Sequence, residues 1–361
     1  MLRPTLPPIR YQPSHAAFRA DVVKRLPPPG RFTGHKAWLL PALIAAVYAL
    51  LLGGACTVLL EALVVVLCLL AALGLAHDAS HGALSRLNRL GAFVFDLVGV
   101  NGYVWHFDHV VAHHTTPNVS RYDANLYGWG PIRLDPHSPH RPWHRFQHLY
   151  APLIYATASL YKVYLGDFLA IGRTRADAYL PPQHSAATLA RMVLFKAWSI
   201  LFTLVIPLAV TGKVAPVVAG YLLGHVCNGL LMGAIFQPTH TNELVAWPRP
   251  DPAGQMATSF DAHVLATAAD FAVTSRWVTW LAGGLNIHAV HHLFPGVPHL
   301  QLPAAAAVVA DAAAAHGLRY LTFPTWSAAL ASHFRALKRL GEGAASEAPL
   351  TAALAAADSA R

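Results

Sequence analysis

The sequence predicts an all-α integral membrane protein with four membrane-spanning helices in two hairpins, interfacial helices and a cytosolic helical cap. Three observations support this fold class. Apolar residues make up 55% of the chain and charged residues only 12%, about half of the charged share that is usual for a soluble domain. The apolar residues are concentrated in two long blocks. Three compact histidine clusters lie at or beyond the ends of these blocks.

The positive charge of the chain indicates its orientation in a membrane rather than nucleic-acid binding. The formal net charge is +9, but the basic residues are scattered and form no stripe interleaved with aromatic residues, so we expect no nucleic-acid partner. Because Lys and Arg are enriched on the cytoplasmic side of membrane proteins, residues 1–36 are predicted to be a basic cytosolic arm. Its basic residues are Arg3, Arg10, Arg19, Lys24, Arg25, Arg31 and Lys36.

The two apolar blocks predict the two hairpins. The first block runs from Ala37 to Ala76 and is interrupted by Gly53 and Gly54. Because one span needs about 20 residues, this block suits two spans, near 37–54 and 58–76. The second hairpin is predicted near 192–211 and 214–236, with Lys196 snorkelling to the cytosolic surface. Each hairpin returns the chain to the cytosol, so all three histidine clusters are predicted to face that side.

The segments between and after the hairpins predict the remaining organisation. Residues 91–105 are apolar but too short for a span and are predicted to be interfacial or re-entrant, and the aromatic segment 149–168 predicts a helix at the membrane interface. Residues 303–340 predict a soluble helical cap. The membrane domain therefore covers residues 37–340, and the Ala-rich residues 341–361 are predicted to be a mobile tail. The cysteines, which lie in apolar stretches, are predicted to be buried thiols without disulfides: Cys56, Cys68 and Cys227.

The histidine clusters predict a metal centre. Residues four apart on an α-helix share a face, so His109 and His113 are predicted to reach one metal together. His114 points elsewhere and can touch a neighbouring metal or close the opposite side of one site. With His240 as a further candidate, the ligands are too many for one four-coordinate ion and fit two ions: His77, His81, His109, His113, His114, His240, His288, His291 and His292. Imidazole-only sites suit zinc, copper, nickel or iron.

Other polar residues have two readings each. Asp78 and Asp108 adjoin predicted ligands and either orient imidazoles from behind or are solvated. His225 and Asn228 lie in the middle of a predicted span, where polar groups are often functional, and either line a substrate tunnel or bond to neighbouring helices. Several histidines outside the clusters are predicted to be flanking, loop or interfacial residues: His106, His137, His140, His144, His148 and His299.

At these residues the sequence resembles the membrane fatty acid desaturase family, in particular its bacterial acyl-lipid and front-end-like branch. The three histidine boxes of that family align with residues 77–81, 109–114 and 288–292. The resemblance extends to residues 145–153 (RFQHLYAPL), 236–240 (FQPTH) and 283–295 (GGLNIHAVHHLFP). It covers roughly residues 37–340.

The resemblance implies that the cap and the span ends hold two iron ions ligated by the box histidines, with His240 at the position of a further ligand. It implies that O₂ and two electrons are used to remove two hydrogens from a long acyl chain, giving a cis double bond and water. The acyl chain would be bound to lipid, coenzyme A or a carrier protein. The expected location is a bacterial inner membrane, among membrane lipids, with the active site on the cytoplasmic side.

Two departures from the family pattern qualify this resemblance. Front-end members usually carry Gln at the first position of the third box, where this chain has His288, which favours other acyl desaturases. The chain also lacks the His-Pro-Gly-Gly motif of a fused cytochrome domain. We therefore expect a separate electron donor, such as ferredoxin or a cytochrome.

Two alternatives differ from this reading in their chemistry. A di-iron hydroxylase or ketolase acting on lipids, sphingoid bases or carotenoids would share the histidine boxes. A non-catalytic membrane metal or haem protein would place ligands inside facing spans, or polar residues along several spans. Here the clusters lie at span ends, and the polar residues within the spans are few: Glu61, Lys196, His225 and Asn228.

Overall fold

The computed structural model describes residues 6–27, 35–126, 130–172 and 184–343. Within these ranges, four helices are long and apolar enough to cross a membrane, and we number them spans 1 to 4: Trp38–Ala55, Val58–Ser80, Ala186–Thr211 and Val214–His240. The rest of the described chain is also mostly helical. The predicted helical membrane fold with four spans is therefore confirmed. The cytosolic placement of the cap stays a prediction.

The spans begin and end at local breaks in the chain. Span 1 ends near Gly54, whose φ of +105° is readily adopted only by glycine. Thr57 caps span 2, because its side chain accepts a hydrogen bond from the backbone N–H of Leu60 at 3.2 Å. Span 3 starts at Ala186 rather than near residue 192, because the Ser185 side chain caps the helix by accepting a hydrogen bond from the backbone N–H of Thr188.

Span 4 is the central helix of the membrane region. Its glycines allow neighbouring backbones to approach closely, as small residues do in membrane helices. A Cβ atom added at Gly224 would lie 2.6 Å from Cβ of Val65 on span 2. One added at Gly229 would lie 2.2 Å from the carbonyl oxygen of Tyr155, on the neighbouring helix Gln147–Tyr161. Span 4 is therefore held between span 2 and that helix, and its C-terminal residue is His240.

The segments predicted to be interfacial are helical. Helix Gln147–Tyr161 exposes Leu149 and Leu153 and buries Tyr155 on its other side, and the chain continues as helical turns to Gly172. The piece predicted to be re-entrant consists of helices Asn88–Leu97 and Gly102–Trp105. Between them the chain turns at Gly99, where φ is +82° and an added Cβ would lie 2.8 Å from Oγ of Ser199.

The remaining elements surround the C-terminal ends of spans 2 and 4. Within the described residues, two short pairs of parallel strands occur: Arg10–Gln12 with Gln255–Ser259, and Asp270–Phe271 with Thr322–Phe323. Beyond the spans and the helices named above, the helices are Ala16–Arg25, His106–His113, Phe260–Thr267, Arg276–Ala282, His288–Leu293, Leu302–Ala315 and Trp326–Gly341, with single helical turns at Ser85–Leu87, Ala124–Leu126, Pro142–Phe146 and His299–Gln301.

The N-terminal arm packs on this helical region. Phe18 and Val22 of helix Ala16–Arg25 are fully buried in one cluster with residues of helices Phe260–Thr267, His288–Leu293 and Leu302–Ala315. Arg19 pairs with the buried Asp261 at 2.5 Å. The described part of the predicted basic arm is therefore ordered on the protein itself. Residues 344–361, which contain nearly all of the predicted tail, lie outside the described residues.

Three predictions about polar and thiol side chains were wrong. Lys196 does not snorkel: it is 5% exposed and donates to Asp167 at 2.8 Å and to the Gly99 carbonyl at 3.0 Å, because a buried carboxylate lies within its reach. Cys227 is exposed on span 4 rather than buried, although all three cysteines are free thiols. His299 and His144, which were predicted to be loop or interfacial residues, are buried.

Candidate metal centre

Nine histidines from distant parts of the chain converge into two adjacent groups. The first group contains His77, His81, His109, His114 and His291, and the second group contains His113, His240, His288 and His292. Within each group the ligand nitrogen atoms all lie within 4.8 Å of one another. Eight of these side chains are buried and His81 is half-buried. The structure therefore brings together all nine histidines that the sequence singled out.

The second histidine box divides between the two groups in a way that α-helical spacing did not predict. Residues His106–His113 form a π-helix, in which residues five apart, rather than four, align along the helix. Accordingly, Nε2 of His109 lies 3.2 Å from Nε2 of His114, and His113 turns to the second group. His109 and His113, which were expected to reach one metal together, therefore lie in different groups. Of the two options left open for His114, contact with a neighbouring metal agrees with this geometry.

The third box follows ordinary α-helical spacing. Helix His288–Leu293 places His288 and His292, four residues apart, in the second group and His291 in the first. The rings of His114 and His292 stack across the boundary, with centroids 4.1 Å apart and planes inclined by 15°. The two groups are therefore in direct contact through their imidazole rings.

The nitrogen positions in the first group fit a bound metal ion. Nε2 of His77 lies 3.2 Å from Nε2 of His109, and Nε2 of His291 lies 3.1 Å from Nε2 of His114. A metal bound by imidazole nitrogens at about 2.1 Å holds neighbouring ligands at right angles about 3 Å apart. Convergent nitrogens at this separation are therefore in the range expected around one ion.

The second group carries unpartnered nitrogens that point to the same conclusion. Nε2 of His113, Nε2 of His240 and both ring nitrogens of His288 and of His292 are buried without a hydrogen-bond partner among the described residues. Such groups are destabilising unless a partner satisfies them. A metal ion would be the partner of one nitrogen on each ring, so the residues present fit one ion in each group.

The protonation states of the histidines also favour metal binding, which requires a neutral imidazole. Burial lowers the pKa of His81 to about 4. Burial and the neighbouring imidazoles hold the pKa values of four other box histidines well below the usual 6.5: His109, His114, His291 and His292. These side chains are therefore neutral ligands at physiological pH.

Two contacts behind the second group orient its imidazoles. Nδ1 of His113 lies 2.9 Å from Oδ1 of Asp123, and Nδ1 of His240 donates to the carbonyl of Thr267 at 3.0 Å. Each contact leaves Nε2 free for a metal, as outer partners of metal-bound histidines do. Burial by itself would raise the pKa of Asp123, but His113, His240 and the N–H of Asn118 lower it below its usual range. Asp123 could not be predicted from the sequence, because no motif links it to the boxes.

Asp78 and Asp108 differ from Asp123. Asp78 accepts hydrogen bonds from Nδ1 and from the backbone N–H of His299, at 2.7 and 3.1 Å, and its other oxygen is 4.0 Å from Nδ1 of His77. It therefore links the first box to the turn that follows the third box. Asp108 lines a cavity with Lys162, and its charge contributes to a raised pKa of that lysine.

Two cavities adjoin each other, and the larger one is lined by three of the clustered histidines. The outer cavity, of about 370 Å³, is lined by His109, His113 and His240 together with apolar residues such as Leu126, Leu134 and Ile154. The inner cavity, of about 70 Å³, lies among the spans and is lined by His225, Asn228, Val65, Cys68 and Phe202, among others. Both cavities share four lining residues: Trp105, Lys162, Met232 and Phe236. Both cavities are mostly apolar, and the outer one lies beside the second box.

Each of the two mid-span polar residues has a bond to a neighbouring helix and lines a cavity. Nδ1 of His225 lies 2.9 Å from Oγ of Ser159, and the amide of Asn228 donates to the Val65 carbonyl at 3.0 Å. Both side chains therefore bond to neighbouring helices, and both also line the inner cavity.

Comparisons with known proteins point to one family. The sequence profile described as "Fatty acid desaturase" matches residues 55–324. Among curated proteins, the chain is 28% identical over 270 residues to the sn-1 linoleoyl-lipid 6-desaturase of Synechocystis, covering 74% of this chain and 75% of the relative. It is 28% identical to the enzyme of the same name from Arthrospira platensis, covering 74% and 73%. It is 30% identical to the acyl-lipid (8-3)-desaturase of Physcomitrium patens, covering 73% of this chain and 56% of the relative.

Proposed function

Because the chain belongs to the fatty acid desaturase family, we propose that it is an acyl-lipid desaturase whose two histidine groups hold two iron ions beside the acyl chain. The observation that carries this proposal is the convergence of nine histidines in two groups, three of which also line a mostly apolar cavity. The relatives named above are acyl-lipid desaturases, which favours desaturation over the hydroxylase alternative.

The chemistry that the irons supply is the removal of hydrogen from unactivated C–H bonds, driven by O₂ and electrons, which no side chain can perform. Overall, a –CH₂–CH₂– unit, O₂, two electrons and two protons become a cis –CH=CH– unit and two water molecules. The protein's part is to hold nine ligands and to keep the chain beside them. Asp123 and the Thr267 carbonyl orient His113 and His240, and the ring of Trp105, 4.4 Å from that of His109, forms part of the apolar wall that excludes water.

We assign the acyl chain to the two cavities. The outer cavity accommodates the segment beside the second box, and the inner cavity accommodates the end of the chain, with His225 and Asn228 in its wall. The names of the relatives support a lipid-bound substrate, and a separate carrier such as ferredoxin or a cytochrome would supply electrons. The basic N-terminal residues support a cytoplasmic position for the histidines.

The direct test is expression in a bacterial host without such enzymes, followed by mass spectrometry of its fatty acids. The expected result is a new cis double bond. His113→Ala should abolish it and lower bound iron, whereas His106→Ala is the matched control, because His106 is exposed on the same helix and outside both groups. Hydroxylated acyl chains would support the alternative chemistry, and an unchanged fatty-acid profile would contradict the proposal.

The carrier and the inner cavity are tested separately. Purified enzyme with a reducing system is offered acyl chains as membrane lipid, as coenzyme A thioester or on a carrier protein, and only the lipid form should be converted rapidly. Asn228→Phe should fill part of the inner cavity and shift the products towards shorter chains. Leu222→Phe, on the exposed side of the same span, should leave the chain-length profile unchanged.

A further inference from the structure

The helix that carries the third box needs contacts from other segments of the chain to be stable. His288–Leu293 has only six residues, and its N-cap residue Ile287 contributes no side-chain cap. The first N–H groups of an α-helix have no partner within the helix. A helix of this length is also not stable on its own. The positions of three ligand histidines therefore depend on whatever satisfies the start of this helix.

Asp270 supplies that contact. Its side chain is completely buried, and Oδ1 accepts a hydrogen bond from the N–H of Ala289 at 2.6 Å. The N–H groups of His288 and Val290 add to the contact. A side-chain oxygen at this position satisfies N–H groups at the start of the helix that have no partner within it. One side chain, 18 residues before the box, thus caps the ligand helix.

The segment around Asp270 also reaches the end of span 4. The Thr267 carbonyl accepts from Nδ1 of His240 at 3.0 Å, and the N–H of Ala269 donates to the Thr239 carbonyl at 2.9 Å. On its other side, the hydroxyl of Tyr320 donates to Oδ2 of Asp270. This segment therefore ties His240, the third-box helix and the C-terminal helical region to one another.

These contacts are unequally distributed between the two histidine groups. The segment contacts His240 directly and stabilises the helix that carries His288 and His292. It therefore affects three of the four members of the second group. Of the five members of the first group, only His291 lies on the same helix. We propose that Asp270 is a positioning residue for the second metal site, and that its loss weakens this site selectively. The inference rests on the proposed di-metal function.

The test measures metal binding by the full-length protein in detergent, using Co²⁺ titration of metal-free samples. Asp270→Asn should weaken one of two sites about 10- to 100-fold, the range seen when an outer partner of a metal site is lost. The binding profile should resemble that of His240→Ala rather than that of His291→Ala. The matched control is Asp261→Asn, because Asp261 is equally buried and binds Arg19 and the N–H of His15 but no histidine of either group.

Three outcomes decide the inference. The inference would be overturned if Asp270→Asn bound metal at both sites with wild-type affinity, or if the substitution weakened both sites equally. If Asp270→Asn does not fold, Tyr320→Phe decides: a several-fold weakening of the second site alone supports the role, and unchanged binding refutes it. A wild-type protein that binds no metal pair would instead overturn the proposed function, so the two failures are distinguishable.

Discussion

Replacing Asp123 with Asn tests how the protein tunes its metal centre. Oδ1 of Asp123 contacts Nδ1 of His113 at 2.9 Å, and Oδ2 accepts the N–H of Asn118 at 2.9 Å. An Asn side chain has only one oxygen, so one of these two donors would face an NH₂ group instead of an acceptor. Whichever way the amide turns, either His113 or the loop that holds it loses a partner.

The expected size of the effect follows from the geometry. Asp123 is 1% exposed, and its lowered pKa keeps it ionised at neutral pH, so its contact with His113 is a charged hydrogen bond in a dry environment. Loss of such an outer partner lowers metal affinity about 10- to 100-fold, which corresponds to about 1.4 to 2.8 kcal/mol. The loss should fall on the second group, because His113 belongs to it and no first-group histidine contacts Asp123 through a described hydrogen bond.

The assay is titration of metal-free protein with Co²⁺ or, under nitrogen, Fe²⁺, together with desaturase activity. Asp135→Asn is the matched control: Asp135 is as buried as Asp123 and accepts from the N–H of His137 at 2.7 Å, but it contacts no box histidine. An Asp123→Asn protein that binds two metals with wild-type affinity would refute the view that this carboxylate positions His113.

Two further predictions concern stability. Gly229→Ala should lower the free energy of unfolding by about 1 to 3 kcal/mol, as overpacking does, because its Cβ would lie 2.2 Å from the Tyr155 carbonyl oxygen. Gly172→Ala is the control in thermal unfolding, because no atom of the described residues lies within 4 Å of its added Cβ. Equal stabilities of the two variants would contradict the packing argument. Burial lowers the pKa of His333 to about 4, below the value of about 6.5 expected in the unfolded chain. Because the unfolded chain therefore binds the extra proton, the free energy of unfolding should fall by up to about 3 kcal/mol as the pH drops from about 6.5 to 4. His333→Gln should flatten this part of the stability–pH curve, and an unchanged curve would contradict the argument.

The membrane fold was readable from the sequence because the bilayer imposes strong rules on it. A span must satisfy its backbone internally and must be long enough to cross, so apolar blocks divided by glycines reveal their helices. The ends of the helices were less predictable, because they depend on local caps and ion pairs. Ser185 and the pairing of Arg191 with Asp96 at 2.6 Å extend span 3 into a region whose composition is not that of a span.

The identity of the clustered histidines was also readable, but their assignment within the second box was not. Spacing along the chain was converted to angles with α-helical geometry, and the segment His106–His113 is a π-helix. The wider π-helical turn places Nε2 of His114 3.2 Å from Nε2 of His109 and directs the ligand nitrogen of His113 into the second group. No composition signal in this segment distinguishes the two helix types, because the wider turn is stabilised by what packs around it.

The residues that orient the site could not be found from spacing at all. Asp123, Asp270 and the Thr267 carbonyl reach their histidines through folded loops, and the Thr267 contact is made by backbone, which every residue possesses. Asp78 shows the converse: it adjoins His77 in sequence, yet its strong hydrogen bonds go to His299, 221 residues away. Spacing along the chain therefore predicts the ligands, because their positions on one short helix are constrained. It predicts less well the partners that orient them, because tertiary contacts place these partners. For this protein, the metal-site partners that matter are the carboxylates placed by tertiary contacts, and substitutions at Asp123 and Asp270 test that conclusion more directly than substitutions at the ligands themselves.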